Sequence, residues 1–85
     1  MKQFTYTITN EVGLHARPAG KVVTLAGKFD SQITAMVGER SANLKSILSV
    51  MTLGAVKGAE VTVAAEGSDE AEAAAALEEL FRAEL

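Results

Sequence analysis

Apolar and polar residues alternate at the start of the chain. Phe4, Tyr6 and Ile8 are each followed by a threonine, and this period of two predicts a strand with one buried face. The pattern breaks over residues 10–13, which predicts a loop. Gly27 is expected to end the helix that comes next. The apolar residues of that helix recur at helical spacing on one face: Ala19, Val22, Val23 and Ala26.

The same two periods continue through the middle of the chain. Apolar residues at alternate positions of residues 33–37 predict a second strand. Gly38-Glu39 predicts a tight turn, and a short third strand is expected over about residues 40–43. A compact apolar run that ends at Gly54 then predicts a short second helix: Ile47, Leu48, Val50, Met51 and Leu53.

The last third of the chain predicts one strand and one helix. Alternation over residues 61–65 indicates the strand. After a glycine-serine turn, Asp69 is expected to be the N-cap of the helix, and Glu72 three residues later would complete a capping box. The helix should bury one stripe of large side chains: Leu77, Leu80 and Phe81.

These elements follow the order β-α-β-β-α-β-α. Because each strand has one apolar and one polar face, we expect the helices to cover only one side of the sheet. The predicted fold class is α+β, a two-layer open-faced β-sandwich. The chain has 85 residues, of which 48 % are hydrophobic and 22 % are charged, and this composition fits one globular domain spanning residues 1–85.

Charge and composition narrow the possible functions. A net charge of −3 and an aromatic content of 5 % argue against a nucleic-acid partner, which would need a basic patch or stacking platforms. With no cysteine and one histidine, the chain is expected to hold no disulfide, no metal site and no cofactor. No segment is typical of a secretion signal or a membrane span, so we expect no membrane insertion and a cytoplasmic location.

The single histidine lies where the first loop becomes a helix. Pro18 is compatible only with the first helical turn, so the helix should begin near Ala16, with His15 at or next to the N-cap. The first backbone N–H groups, those of Ala16 and Arg17, then lack helical acceptors and present partial positive charge. Helix N-termini of this kind bind phosphate.

This arrangement suits phosphoryl transfer. A neutral imidazole is a nucleophile, the N–H groups would stabilise a phosphoryl group on the ring, and Arg17 would add a charge-assisted hydrogen bond. In the alternative interpretation His15 is an ordinary polar cap and Arg17 a solvated charge. Spacing alone favours that alternative, since short matches are frequent by chance.

Two segments resemble a known family. Residues 13–19, Gly-Leu-His-Ala-Arg-Pro-Ala, closely resemble the active-site segment of HPr, the histidine-containing phosphocarrier of the sugar phosphotransferase system. Residues 43–54 resemble the family's second signature, around its regulatory serine, and residues 57–61 are similar to the segment that follows. The signatures keep the family's separation, so the resemblance covers essentially the whole chain.

The resemblance implies a four-stranded antiparallel sheet in the order 1-4-2-3, covered on one face by three helices. It implies that His15 accepts a phosphoryl group from enzyme I through Nδ1 and passes it to the A domain of a sugar-specific enzyme II, with Arg17 attending the phosphate. Such a chain is a phosphocarrier and not a self-sufficient enzyme, and we expect a monomer. Ser46 matches a serine that an ATP-dependent kinase phosphorylates, which adds HPr kinase/phosphorylase and a catabolite-control transcription regulator as partners.

The short second helix predicts a docking surface. A helix of two turns on a one-sided sheet cannot bury apolar residues around most of its circumference, so part of it should be exposed. A fully buried helix is the alternative. The residues expected to contact partners are Ile47, Leu48 and Met51, surrounded by the cations of Arg17, Lys21 and Lys45, which would attract acidic proteins.

Ser46 has two possible roles. N-capping of the second helix explains a serine at this position at least as well as regulation by phosphorylation does.

Two further functions stay open on the sequence. A regulatory binding module would use phosphorylated Ser46 and the apolar patch as a corepressor surface. A small phosphatase would form a short-lived phosphoenzyme at His15, whereas a carrier holds the group until a partner arrives.

Overall fold

The strands and helices begin and end close to the positions that the periodicity predicts. The computed structural model describes all of residues 1–85. The chain contains four strands and three helices in the predicted order: β1 (Lys2–Thr7), α1 (Ala16–Ala26), β2 (Gln32–Val37), β3 (Arg40–Asn43), α2 (Ile47–Thr52), β4 (Glu60–Glu66) and α3 (Glu70–Glu84).

The four strands form one antiparallel sheet in the order β1-β4-β2-β3. The side chains of successive residues in a strand point to opposite faces of the sheet. Each row of residues paired across the four strands therefore lies on one face, and the next row lies on the other. One row is apolar and packs against the helices: Phe4, Val63, Ala35 and Ala42. The next row faces away from them: Thr5, Thr62, Met36 and Ser41. The predicted α+β open-faced sandwich and its strand order are confirmed.

Helix α3 supplies the largest side chain of the core. Phe81 is fully buried, and its ring meets those of Phe4 and Tyr6 edge to face, with centroids 5.6 and 6.0 Å apart. Leu77 is buried one turn earlier, and Leu80 is partly buried, as the predicted stripe requires. These contacts hold α3 across β1 and bring the end of the helix to the loop between β1 and α1.

Asp69 is the N-cap residue of α3, but the predicted capping box is wrong. The Asp69 carboxylate accepts no N–H from its own helix. It accepts the N–H of Asp30 at 2.8 Å, the N–H of Ser31 at 3.0 Å and the hydroxyl of Ser31. Glu70, not Glu72, accepts the backbone N–H that lies nearby. The reason is burial: Ser31 is fully buried, so its donors need acceptors inside the protein.

These contacts predict a pH-dependent contribution of Asp69 to stability. The Ser31 hydroxyl and the Asp30 N–H favour the charged carboxylate and lower the pKa of Asp69 below its ordinary value of 3.8. Because the folded value is the lower one, the contribution is complete above the ordinary pKa and is lost as pH falls through the folded pKa. Asp69→Asn should therefore unfold at a lower urea concentration than wild type at neutral pH. In denaturation series at falling pH this gap should close in acid, and a gap of constant size would contradict the assignment.

Candidate functional site

The N-cap of α1 is His15, as the position of Pro18 predicts. The backbone of His15 is extended, with φ −104° and ψ −172°, and its ring makes no capping hydrogen bond. The residue is half-buried, at the boundary between the core and solvent. The ring nitrogens are therefore not committed to holding the helix together.

The first turn of α1 has two backbone N–H groups without acceptors. The Ala19 N–H donates to the His15 carbonyl at 2.9 Å, which closes the first helical bond. Pro18 has no N–H to donate. The N–H groups of Ala16 and Arg17 have no acceptor in the protein, and both residues are exposed. They form the positive end of the helix dipole directly after His15.

The loop before His15 is held against the segment that follows α2. Gly13 has a positive φ of 74°, and the Leu14 N–H donates to the Ala55 carbonyl at 2.8 Å. A Cβ at Gly13 would lie 2.5 Å from the Ala55 oxygen and 2.9 Å from the Cα of Val56. Only glycine permits both this backbone angle and this approach, so Gly13 sets how the chain enters α1.

The three predicted basic residues lie in different electrostatic settings. Arg17 is exposed and forms no ion pair. The Lys21 ammonium pairs with Glu84 at 3.1 Å. The Lys45 ammonium donates to the Phe29 carbonyl at 2.6 Å. Of the three, only Lys21 is paired with a carboxylate, and Arg17 is the one cation with neither an ion pair nor a hydrogen-bond acceptor in the protein.

Helix α2 exposes part of its apolar surface. Val50 and Leu53 are buried at 1 % exposure, whereas Ile47, Leu48 and Met51 are 45, 74 and 43 % exposed. The predicted exposure is confirmed, and the fully buried helix is excluded. Because α1 packs against α2, this patch lies on the helix that neighbours the His15 helix.

Ser46 caps α2. Its backbone is extended, and its hydroxyl oxygen accepts the Ser49 N–H at 3.4 Å, a long hydrogen bond. The capping role predicted for Ser46 is confirmed. The hydroxyl is only partly buried, so capping and modification at this residue are compatible.

Sequence patterns did not indicate the contacts between the end of α3 and the loop before His15. The Thr9 and Asn10 N–H groups donate to the Leu85 carbonyl at 2.6 and 2.7 Å, and the Asn10 side chain donates to the Glu84 carbonyl at 3.1 Å. These partners are more than 70 residues apart in the chain. No local pattern could have found them.

The geometry at the start of α1 defines what the site can do. An imidazole with free nitrogens precedes two unpaired N–H groups and an uncommitted guanidinium, so a nucleophile and an anion-binding group are adjacent. A phosphoryl group bound to the ring would have donors available without rearrangement of the fold.

Comparison with known proteins agrees with this chemistry. The sequence matches the family PTS-HPr, described as "PTS HPr component phosphorylation site", over residues 2–83.

The chain belongs to the HPr family.

Solved structures of HPr proteins have the same fold. The histidine-containing phosphocarrier protein of Mycoplasma is 41 % identical, with a TM-score of 0.92 over 94 % of this chain and 91 % of that one. HPr of Thermoanaerobacter tengcongensis is 46 % identical, with a TM-score of 0.93 over 98 % of this chain and 93 % of that one. Crh of Bacillus subtilis, a catabolite-repression protein described as an intertwined dimer with a swapping domain, is 37 % identical, with a TM-score of 0.77 over 100 % and 98 %.

Membership of the HPr family gives the chain a phosphocarrier role in the phosphotransferase system. HPr proteins carry a phosphoryl group and are not catalysts in the usual sense. None of the three helices is long and apolar enough to span a membrane.

Proposed function

We propose that the chain carries phosphoryl groups from enzyme I to the A domain of a sugar-specific enzyme II, with Nδ1 of His15 as the acceptor. The observation that supports this most strongly is the uncommitted imidazole at the N-cap, followed by two N–H groups without acceptors. The choice of Nδ1 follows from the family resemblance. No cofactor is needed, because the group moves directly between side chains.

Each transfer exchanges one bond to phosphorus for another. In the first, the Nδ1 lone pair attacks the phosphorus held by enzyme I, an N–P bond forms on His15, and the bond to the donor breaks. In the second, a nucleophile of the enzyme II domain attacks the same phosphorus, and the imidazole leaves with its electron pair. The N–H groups of Ala16 and Arg17, together with the Arg17 guanidinium, stabilise the negative charge on the phosphoryl oxygens between the two steps.

A two-stage labelling experiment tests the carrier role. The chain is incubated with phosphoenolpyruvate and enzyme I, separated from both, and followed by intact mass with and without an enzyme II A domain. A carrier keeps the phosphoryl group alone and loses it on addition of the A domain. Rapid loss to water without a partner would instead indicate the phosphatase alternative.

The exposed apolar residues of α2 are the proposed docking surface. Ile47, Leu48 and Met51 present the apolar contact, and Met is adaptable enough to suit partners of different shape. Lys21 and Lys45 are proposed to lie at the rim of the interface. The Lys21 ammonium is paired with Glu84, whereas Lys45 bonds only the neutral Phe29 carbonyl. We therefore assign long-range attraction of acidic partners mainly to Arg17 and Lys45, whose charges no carboxylate offsets.

Met51→Asp should weaken binding to enzyme I at least about tenfold while the fold is retained. The substitution removes an apolar contact and places a charge at its centre, and a tenfold loss corresponds to about 1.4 kcal/mol. Met36→Asp is the matched control, since Met36 is 37 % exposed against 43 % for Met51 and lies on the sheet face away from the helices. Titration calorimetry measures the affinity of both variants for enzyme I. Equal affinities would show that Met51 does not contact the partner, and loss of the fold in Met51→Asp alone would show that Met51 belongs to the core and not to a docking surface.

Ser46 is proposed as a regulatory phosphorylation site, with HPr kinase/phosphorylase and a catabolite-control transcription regulator as partners. A phosphate there adds about −1.5 to −2 charge at the start of α2, where the helix end tolerates negative charge. The same charge would lie beside the docking surface, because Ile47 is the next residue. Phosphorylation of Ser46 should therefore leave the fold intact and weaken the binding of an acidic partner.

Ser46→Asp, which imitates that charge, should slow phosphorylation by enzyme I at least about tenfold, since like charges facing each other at an interface cost several kcal/mol. Its urea midpoint should remain close to that of wild type. Gln3→Glu adds one negative charge at an exposed position of β1 and should leave the rate unchanged. Initial rates of phosphoryl uptake measure both variants, and equal rates for Ser46→Asp and wild type would remove the regulatory role.

The similarity to Crh supports a second candidate function, a regulatory binding module that uses phosphorylated Ser46. This role does not need His15, so a His15 variant would retain it and lose the carrier role.

We further propose that residues 1–85 act as one HPr-like domain, as a monomer, in the cytoplasm. Sedimentation at micromolar concentration should give the mass of one chain. The mass of two chains would instead group this protein with the dimeric Crh.

A further inference from the structure

The loop that delivers His15 is anchored at two places. At its start, the N–H groups of Thr9 and Asn10 bind the Leu85 carbonyl, and near its end the Leu14 N–H binds the Ala55 carbonyl. Between these anchors, Glu11 and Val12 are exposed to solvent. The Glu11 side chain forms one ion pair, with Lys57, and exposed pairs of this kind contribute little to stability.

Asn10 determines the shape of the exposed part. Its side-chain oxygen accepts the Val12 N–H at 2.8 Å, and its backbone carbonyl accepts the Gly13 N–H at 3.1 Å. Together these bonds close residues 10–13 into a turn, a conformation that asparagine stabilises by this side-chain contact. The turn ends at Gly13, two residues before His15.

The same residue attaches this turn to the end of α3. The Asn10 side chain donates to the Glu84 carbonyl at 3.1 Å, and its backbone N–H donates to the Leu85 carbonyl at 2.7 Å. The Glu84 carboxylate in turn pairs with Lys21, on α1. Glu84 therefore contacts both the turn that precedes His15 and the helix that follows it.

We infer that Asn10 is a positioning residue for His15, an inference that rests on the proposed function. All four hydrogen-bonding contacts of Asn10 fix the turn or its attachment, and none of them involves the phosphoryl group. By fixing the turn relative to α1, Asn10 fixes where the His15 backbone enters the helix, and with it the position of the imidazole relative to the unpaired N–H groups of Ala16 and Arg17. Misplacing a reacting group by about 1 Å can slow a reaction by as much as a hundredfold, so a loosened turn should slow transfer.

Three variants separate positioning from stability. Asn10→Ala removes both side-chain bonds. Asn10→Ser keeps a neutral acceptor that can bind the Val12 N–H more weakly, but it is too short to reach Glu84. Thr9→Val is the matched control, because it removes the bond of 2.9 Å from the Thr9 hydroxyl to the Leu85 carbonyl and leaves the turn unchanged.

The first measurement is the rate of phosphoryl transfer from phosphorylated enzyme I over a range of acceptor concentrations. Asn10→Ala should lower the maximal rate about tenfold and leave the half-saturating concentration within about twofold, since the α2 surface is unaltered. Asn10→Ser should recover part of the rate, and Thr9→Val should match wild type. If Asn10→Ala keeps the wild-type maximal rate, the inference is wrong. If Asn10→Ala does not fold, Asn10→Ser takes its place in the test, and a wild-type maximal rate in that variant would likewise overturn the inference.

The second measurement does not depend on activity. In NMR spectra of the unphosphorylated proteins, the His15 ring and the Ala16 and Arg17 amide signals should shift in Asn10→Ala and stay in place in Thr9→Val. Unmoved signals in Asn10→Ala would overturn the inference. If wild type accepts no phosphoryl group, the proposed function fails, and these spectra still decide whether Asn10 positions the ring.

Discussion

Replacing His15 with alanine is expected to abolish phosphoryl uptake from enzyme I completely while the protein stays folded. His15 is the only histidine of the chain, so no second imidazole can accept the group. The residue is half-buried and its ring makes no capping hydrogen bond, so the loss of stability should stay within about 0.5 kcal/mol. Uptake is measured as label bound to protein after incubation with phosphoenolpyruvate and enzyme I.

His15→Gln is the companion variant for this test. Glutamine keeps a polar side chain at the N-cap but lacks a nucleophilic nitrogen, so it should be as inactive as alanine. Label that persists in either variant would place the acceptor elsewhere and refute the assignment of His15.

The second large effect is expected at Gly13. In Gly13→Ala the new Cβ would lie 2.5 Å from the Ala55 oxygen, and the residue would keep a φ of 74°. The backbone angle alone costs about 1–2 kcal/mol for a residue with a side chain, and the clash is with main chain that cannot move aside cheaply. We expect a total loss of about 2–4 kcal/mol in the free energy of unfolding. Transfer should also slow in the molecules that remain folded, because the loop that presents His15 must shift.

Gly58→Ala isolates the contribution of the backbone angle. Gly58 has a φ of 88°, and a Cβ there would meet nothing within 4 Å. This variant should lose only about 1–2 kcal/mol and should keep the wild-type transfer rate. Urea denaturation measures both variants. If Gly13→Ala and Gly58→Ala lost the same stability and transferred phosphoryl groups at the same rate, the close approach of Gly13 to Ala55 would have no role in presenting His15.

Sequence patterns predicted those features that depend on residues close together in the chain. The alternation in β4 and the helical spacing in α3 come from burial of one face, so the sequence alone indicates both elements. Pro18 located the start of α1 and therefore the N-cap position of His15, because a proline is restricted to the first turn. The exposure of Met51 followed from the length of α2, since a helix of six residues has too little contact area to bury its whole circumference.

The contacts that sequence patterns could not predict join distant parts of the chain. The Asp69 carboxylate matches a local capping motif, yet it binds Asp30 and Ser31, almost 40 residues away, because the fold brings buried donors to it. The contact of Asn10 with Glu84 spans 74 residues. Asparagine in a loop indicates a turn, but nothing in the sequence shows which carbonyl its amide will reach.

The basic residues illustrate the same limit for charge. Lys21 looked free to attract partners, but its ammonium pairs with Glu84, because α1 and α3 pack side by side. An ion pair across two helices depends on their packing, which a charge pattern along one helix does not contain.

The most direct test of the site is an NMR spectrum of the phosphorylated, isotope-labelled protein. If the imidazole holds the phosphoryl group over the start of α1, phosphorus will couple to a ring nitrogen of His15. The amide protons of Ala16 and Arg17 will then move strongly downfield as they donate to the phosphoryl oxygens, while amides of the open sheet face such as Thr62 stay in place. Phosphorus bonded to another residue, or Ala16 and Arg17 amides that do not respond, would contradict the account.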